Sequence, residues 1–410
     1  MGAGMVGLSA AWFLQEWGVQ VTVVDRSGVA AGSSWGNAGW LSPVFAVPLP
    51  EPAVLRYGLR SLLDPHAALY IHPRPDPRLW AFLARFALHC TATRWQRGMA
   101  AYAAINAMAL PAYDRLRQGG VDAPTVAAPI LACFERPAQV ADLRRELDLV
   151  ASTGQEVQVT ELSGEDARRA APQAAAGIGA ALRIEGQRYM DPGSFTEALA
   201  SSVRARGGHL RSDVTVESLR PGPGGVTVLA SDGEVEEVDA VVLATGAWLS
   251  DLARPLGVRT PVRAGRGYSF TVPVDPPVAH PLYLPTARVA CTPYQGRLRV
   301  AGTMELDGPD APLQPARVAS IIAAVRPLLT GVDWDRRADT WVGPRPITPD
   351  GLPLVGATRA PGVYVAGGHG MWGVCLGPAT GELLAEQVAT GTRPAALEAF
   401  DPLRAPWPGR

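Results

Sequence analysis

Six residues near the start of the chain, Gly2-Ala3-Gly4-Met5-Val6-Gly7, carry the spacing G-x-G-x-x-G, and the chemistry that spacing serves is pyrophosphate binding. The first glycine permits a tight turn, the second lets a phosphate approach the backbone, and the third lets a helix pack closely. The free N–H groups at that helix's start then face the phosphates. Val6, Ala10, Phe13, Leu14 and Trp17 recur at helical spacing behind the motif. Gly18 supplies a C-terminal stop, and residues 19–24 read as a β-branched strand ending on Asp25, an acceptor for ribose hydroxyls. Together these features predict a dinucleotide site; the motif alone does not separate FAD from NAD. A strand is expected ahead of Gly2, with Met1 standing where a strand Val or Ile belongs. The upstream reading frame is therefore expected to hold about five or six codons for a Val/Ile-rich strand, and a stop codon immediately upstream would refute this.

The elements that must position such a site follow in order. Residues 30–39 are small, polar and glycine-rich, either a loop or a segment laid against a flat ligand. Residues 43–52 are a proline-rich domain crossing. From 55 to 150 the pattern is mostly helical, with helices expected over 99–116 and 137–151. Trp80, Phe82, Leu83, Phe86 and Leu88 read as one apolar core cluster. Phe195, Leu199 and Val203 mark an amphipathic helix after Asp191-Pro192, closed by Gly207-Gly208. Strands are expected over 210–219, 226–229 and 236–243, the last running into Ala244-Thr245-Gly246-Ala247-Trp248. Further strands cover 268–272, 289–292 and 298–303, and a helix covers 315–329. A strand at 363–366 enters Gly367-Gly368-His369-Gly370-Met371-Trp372-Gly373, and a helix is expected to begin near Pro378.

At 410 residues the chain is long enough for two domains with real cores. Its 47% hydrophobic and 18% charged content is an ordinary globular balance. A net charge of −1 with no basic run gives no electrostatic basis for nucleic acid. The four cysteines, Cys90, Cys133, Cys291 and Cys375, form no C-x-x-C, and the six histidines have no metal-ligand spacing. This predicts reduced thiols in a cytoplasmic protein and no metal site. No run reaches the apolar length of a membrane span.

Three separated stretches then agree. The glycine motif, the Ala244-Thr245-Gly246 strand end and residues 343–381 resemble the D-amino acid oxidase (DAO) family of FAD-dependent oxidoreductases, and within it bacterial D-amino acid dehydrogenases and glycine oxidases. Residues 32–39 look like that family's loop beside the flavin. Arg345-Pro346-Ile347-Thr348-Pro349-Asp350-Gly351-Leu352-Pro353 looks like its R-P-x-T-P-D-G-x-P run. The resemblance implies an α/β fold: a Rossmann-like FAD-binding domain with a parallel sheet, interleaved with an α+β substrate domain whose sheet is mostly antiparallel. It implies the FAD domain at 1–45, 186–261 and 341–400, the substrate domain at 46–185 and 262–340, and a tail at 401–410.

It also implies chemistry: oxidation of the CH–NH bond of a D-amino acid or similar small amino or imino acid, with hydride passing to flavin N5 and the imine hydrolysing to a 2-oxo acid. The electron acceptor is oxygen or a quinone. Arg345 is the expected catalytic-site residue, its planar fork suited to a substrate carboxylate; the alternative is a surface arginine paired with Asp350. Tyr294 and Tyr268 are expected as hydroxyl donors to the same carboxylate or as core aromatics, and His369 as a hydrogen-bonding group beside the flavin or simply part of a turn. Cofactor contacts are implied for Gly2, Ala3, Gly4, Met5, Val6, Gly7, Asp25 and Arg26 at the start. Ser33, Ser34, Asn37, Ala38 and Gly39 are implied in the loop, and Val214, Thr245, Gly246 and Trp248 in the middle. Gly343, Arg345, Gly368, His369, Gly370, Met371, Trp372 and Gly373 are implied near the end. The helix opening after Gly377-Pro378 is expected to aim its positive end at the flavin pyrimidine. Gly343 stands where some relatives carry a flavin-linking cysteine, so FAD is expected to be non-covalent. Readings of other classes are a flavin-carrying subunit of a multi-subunit amine dehydrogenase complex (proline, hydroxyproline or sarcosine type), an inactive N-terminally truncated remnant, or an NAD-dependent dehydrogenase. No nucleic acid and no transmembrane segment are expected; peripheral contact with the inner membrane face and a partner subunit stay open.

Overall fold

A computed structural model describes residues 1–61, 64, 67–72 and 75–405. Residues 406–410 of the expected tail, and parts of the helical block between 62 and 74, lie outside the described residues.

The glycine turn and its helix form where the pattern places them. The helix Met5–Glu16 buries Met5, Leu8, Ala11, Trp12 and Phe13, and its turn feeds the strand Thr22–Val24. That strand pairs in parallel with His209–Arg211, while Val241–Leu243 pairs in parallel with Val363–Gly367, which in turn pairs antiparallel with Leu354–Ala357. Met1 and Gly2 lie between these two groups. Met1 N–H donates to Val242 O at 2.8 Å, Ala244 N–H donates to Met1 O at 2.9 Å, and Gly2 N–H donates to Val24 O at 2.8 Å. The backbone of two residues thus joins the edges into one layer. The helix Gly373–Thr390 packs on Met5–Glu16 at backbone distance: a Cβ at Gly381 would sit 2.6 Å from Ala10 N, and one at Gly377 2.8 Å from Met5 Cγ. Two glycines four apart open the groove that the first helix fills.

The second layer is a nine-stranded sheet. Ala338–Ile347, Arg263–Val272, Arg297–Leu306, Val289–Tyr294, Leu282–Leu284, Ile130–Phe134, Ala180–Ile184 and Val159–Ser163 follow one another, and Leu69–Ile71 joins beside Arg297–Leu306. All neighbours are antiparallel except Leu282–Leu284 with Ile130–Phe134 and Leu69–Ile71 with Arg297–Leu306. The α/β class and the two sheet types are as the resemblance implied.

Four details differ from the pattern reading. The strand Ala338–Ile347 stays in the large sheet to its end, so that layer reaches Ile347 rather than stopping at 340. Residues 210–219 are two strands, because Asp213 turns at φ 60° and sends Val216–Gly222 into a separate hairpin. Residues 236–243 likewise split, Val235–Val238 pairing in the hairpin sheet and Val241–Leu243 in the parallel layer. The last helix starts at Gly373, with Pro378 inside it. Pro378 cannot donate to Val374 O, and Tyr113 OH does so instead at 2.5 Å.

Caps and periodicity placed the helix Pro192–Ala205 correctly. Asp191 accepts from Gly193 and Ser194 N–H, Pro192 opens it, and Phe195, Leu199 and Val203 are fully buried. The apolar cluster at 80–88 is not a closed core. Trp80 is 50% and Leu88 47% exposed, while Leu83 and Phe86 line a cavity.

Candidate active site

Two cavities meet at Arg345. The smaller, about 420 Å3, is lined by Gly2, Gly4, Met5, Val6, Asp25 and Arg26 at one end and by Thr245, Gly246, His369 and Gly373 further along. The larger, about 890 Å3, lies over Gly36, Asn37, Ala38 and Trp372. Ser33, Asn37, Arg345 and Met371 border both.

The smaller cavity has the donor set of a dinucleotide site. A Cβ at Gly7 would lie 2.0 Å from Gly2 O, and one at Gly2 (φ 99°) 2.4 Å from Ala244 O, so these glycines seat the helix against the turn and the turn against the strand end. At Gly4 a Cβ would meet only Ser34 Oγ, at 3.2 Å, and the residue faces the cavity. Met5 N–H is taken by Ser34 Oγ at 3.0 Å. The N–H groups of Gly4, Val6 and Gly7 have no acceptor among the described residues. Thr245 Oγ1 is buried without a hydrogen-bond partner there. Asp25 accepts from Ala3 N–H at 2.8 Å and from Ser27 and Gly28 N–H at 2.8 and 2.9 Å, so it ties the turn to the following loop as well as facing the cavity. These orphaned donors and the glycine cradle fit a bound dinucleotide such as FAD. The mouth is latched by residues remote in sequence: the Arg26 guanidinium lies 3.9 Å over the Trp248 ring, and both side chains bond Asp310, at 2.6 and 2.9 Å.

The loop 33–39 is fastened by the large sheet. Ser33 Oγ donates to Pro344 O, Ser269 Oγ to Gly36 O at 2.7 Å and Thr292 Oγ1 to Ala38 O at 2.7 Å. Arg299 Nη1 donates to Trp35 O at 2.9 Å and Asn37 O at 3.3 Å. Sequence reasoning missed Asp310, Ser269, Thr292 and Arg299, because nothing local marks a residue that acts across more than 60 positions.

Arg345 sits on Ala338–Ile347. Its Nη1 donates to Thr303 O at 2.8 Å, and no carboxylate pairs with it among the described residues. Asp350, the alternative partner, bonds Arg404 at 2.7 and 3.0 Å. Burial pushes the Arg345 pKa down to about 10, which leaves it cationic at neutral pH. Its space exists because the opposite strand has Gly267: a Cβ there would lie 2.0 Å from Arg345 Nη2. Gly267→Ala is therefore expected to displace the guanidinium and raise KM for substrate about tenfold or more, with the flavin retained. Steady-state kinetics beside the flavin-to-protein absorbance ratio check this; an unchanged KM refutes it.

Other expected site residues are placed differently. The Tyr268 hydroxyl is buried and donates to Glu305 Oε1 at 2.8 Å, where Arg266 Nη1 also donates at 2.7 Å. Tyr268 lines the larger cavity, with its hydroxyl engaged by the Arg266–Glu305 ion pair. Tyr294 borders neither cavity; its ring lies 3.7 Å under the Arg299 guanidinium. The His369 ring is buried, its Nε2 2.9 Å from Thr380 Oγ1, and burial pushes its pKa down to about 4. It ties the glycine turn to the last helix as a neutral imidazole. That helix begins with Trp372 as its cap, and Gly373 and Val374 border the smaller cavity, so its N-terminus faces the site from 373 rather than from 378.

Val214 and Gly370 line the smaller cavity, whereas Ala3, Gly7, Gly39, Gly343 and Gly368 line neither. Gly343 instead leaves room for Trp341, whose ring a Cβ would meet at 1.9 Å. Cys375 is buried, its thiol pushed up to about 12 by burial, and all four cysteines are unpaired.

Comparison with known proteins agrees with this geometry. The family model described as FAD dependent oxidoreductase, DAO, matches residues 1–387. The chain is 33% identical over 401 residues to a D-amino acid dehydrogenase of Methylobacterium nodulans, covering 96% of this chain and 95% of that one. It is 32% identical to a D-amino acid dehydrogenase of Xanthobacter autotrophicus, covering 95% and 94%. Among solved structures, glycine oxidase from Geobacillus kaustophilus superposes with a TM-score of 0.75 at 22% identity, covering 98% of this chain and 97% of that one.

Proposed function

We propose, proceeding from the fact that the chain belongs to the DAO family of FAD-dependent oxidoreductases, that it oxidises the CH–NH bond of a D-amino acid or similar small amino acid to an imine, which water hydrolyses to a 2-oxo acid. The observation that carries this reading is Arg345, a half-buried guanidinium with no acid partner among the described residues, at the junction of the two cavities. A charge partly withdrawn from water in that state favours an anion from outside, and the planar fork matches a carboxylate with two parallel bonds.

FAD, held by the Gly2–Gly7 turn, Asp25, Thr245 and the start of Gly373–Thr390, supplies the two-electron acceptor when bound. The protein does the rest by placement. Thr303 O fixes one arm of Arg345, so the guanidinium keeps a set orientation while its remaining N–H groups serve the substrate carboxylate. The half-buried cation also offsets the charge of that carboxylate as water leaves it. Trp372, fixed by donating Nε1–H to Val47 O at 2.9 Å, and Met371 line the larger cavity beside Arg345 with apolar surface. His369, neutral and engaged with Thr380, holds the turn rather than moving a proton.

No helix among the described residues is long and apolar enough to cross a membrane, and the unpaired thiols favour a reducing compartment such as the cytoplasm. The acceptor for the electrons is oxygen or a quinone. The test is to purify the chain with FAD and add D-alanine, D-lysine, D-arginine, D-proline, sarcosine or glycine anaerobically. At least one is expected to bleach the flavin absorbance, and reoxidation by oxygen or by a quinone analogue then identifies the acceptor. A yellow protein that none of them bleaches refutes the reading.

A further inference from the structure

We propose that the larger cavity selects a D-amino acid whose side chain is long and ends in a cation, an ammonium or a guanidinium, received by Glu51 and Glu146; this rests on the amino acid reading of Arg345 given above. The cavity is about 890 Å3, of the size that encloses a drug-sized ligand. A substrate as small as glycine or alanine would leave most of it empty. Its wall is largely apolar and includes Trp40, Phe45, Phe82, Phe86 and Tyr283, which suits a run of methylenes. Set into the same wall are Glu51, Glu146 and Arg288.

Glu51, Glu146 and Arg288 act on one another through their charges, and Arg56 acts on Glu51, but none of them forms a close pair among the described residues. Neither glutamate has a side-chain hydrogen bond or ion pair with any other described residue. Arg288, in the turn before Val289–Tyr294, lies 4.2 Å over the Tyr57 ring and forms no ion pair with either. In this group, apart from Arg345 and the rim residue Asp142, two carboxylates face one guanidinium among apolar lining residues. Glu146 lies on the helix Val140–Ala151 four residues after Asp142 and three after Leu143, all on one face, all lining the cavity. Asp142 is at the rim: its side chain is 86% exposed and pairs with Arg145 at 3.1 Å. Glu51 stands just before the helix Pro52–Ser61. The groups whose charge acts on Glu146 are Glu51 and Arg288, and it in turn acts on Tyr283; burial first and Glu51 second push the Glu146 carboxyl up to about 7. A carboxylate partly withdrawn from water without a partner is costly. A cation arriving between the two acids supplies the missing partner, while a neutral side chain leaves them unsatisfied and an acidic one adds repulsion. With Arg345 gripping the α-carboxylate in the same cavity, the enclosure presents a cation for one end of the substrate and anions for the other.

The test uses the FAD-loaded full chain and compares kcat/KM for D-lysine and D-arginine with that for D-norleucine and D-alanine. The expected result is a preference of about tenfold or more for a cationic side chain over D-norleucine. Glu146→Gln and Glu51→Gln are each expected to reduce the lysine-to-norleucine ratio about tenfold, through KM. The wild-type preference stands as a test even where a variant does not fold. D-norleucine used as well as D-lysine and D-arginine, or a ratio unmoved in folded variants, overturns the cation proposal alone. Failure of all four amino acids together with D-proline, sarcosine and glycine overturns the reading of Arg345 on which the proposal rests.

Discussion

Arg345→Ala is expected to raise KM for the amino acid substrate about 100-fold or more while flavin content stays normal. The Arg345 guanidinium is the cation that borders both cavities without a carboxylate partner among the described residues. A charge-assisted, two-point hydrogen bond in a water-poor site contributes about 3 kcal/mol or more, and every 1.36 kcal/mol is a factor of ten. The stability of the protein should fall little, because the wild-type arginine is bonded only to Thr303 O and its burial is unfavourable in the absence of an anion. Arg345→Lys is expected to recover part of the loss, since the charge returns without the planar fork. Steady-state kinetics, with the flavin-to-protein absorbance ratio measured on the same sample, decide the matter. A KM within twofold of wild type would remove Arg345 from the substrate site.

The second large effect is expected at Gly7. Its Cβ would lie 2.0 Å from Gly2 O and 3.2 Å from the Ala244 side chain. Neither neighbour is a flexible side-chain end, so Gly7→Ala must push the first helix off the turn. Overpacking of this kind costs about 1–3 kcal/mol, and here the displaced N–H groups are those offered to the pyrophosphate. The variant is expected to purify with less than about a tenth of the wild-type flavin and to melt several degrees lower. Gly4→Ala is the comparison: its Cβ meets only Ser34 Oγ at 3.2 Å. It should lower flavin content because it intrudes on the cavity, while the melting temperature of the flavin-free protein changes little. Full flavin occupancy in the Gly7 variant would show that the turn does not cradle the cofactor.

How much of this could be read from the chain follows from the range over which each feature acts. The glycine turn, the helix behind it and the strand to Asp25 are spaced within 25 residues, and local sterics dictate them. A Cβ at Gly7 is excluded by Gly2 O, five residues away, whereas one at Gly2 is excluded by Ala244 O, which only the folded chain brings there. Asp191-Pro192 and the Phe195, Leu199, Val203 period are similarly self-contained. The position of Pro378 in its helix was not legible, because the hydrogen bond it omits is replaced by Tyr113, 261 residues from the Val374 carbonyl it satisfies.

The functional side chains show the same divide. Arg345, Tyr268 and His369 were all legible as chemistry-bearing residues, yet type and spacing left their partners open. Only the packed structure gave Asp350 to Arg404, Tyr268 to Glu305 and His369 to Thr380, and left Arg345 with a carbonyl alone. Sequence by itself determined that this protein has a dinucleotide turn with a helix behind it, since Gly7 against Gly2 needs only the sterics of neighbouring residues. Tertiary structure decided which cation is free to bind a substrate, because a charge is spent or available according to which distant strand lies beside it.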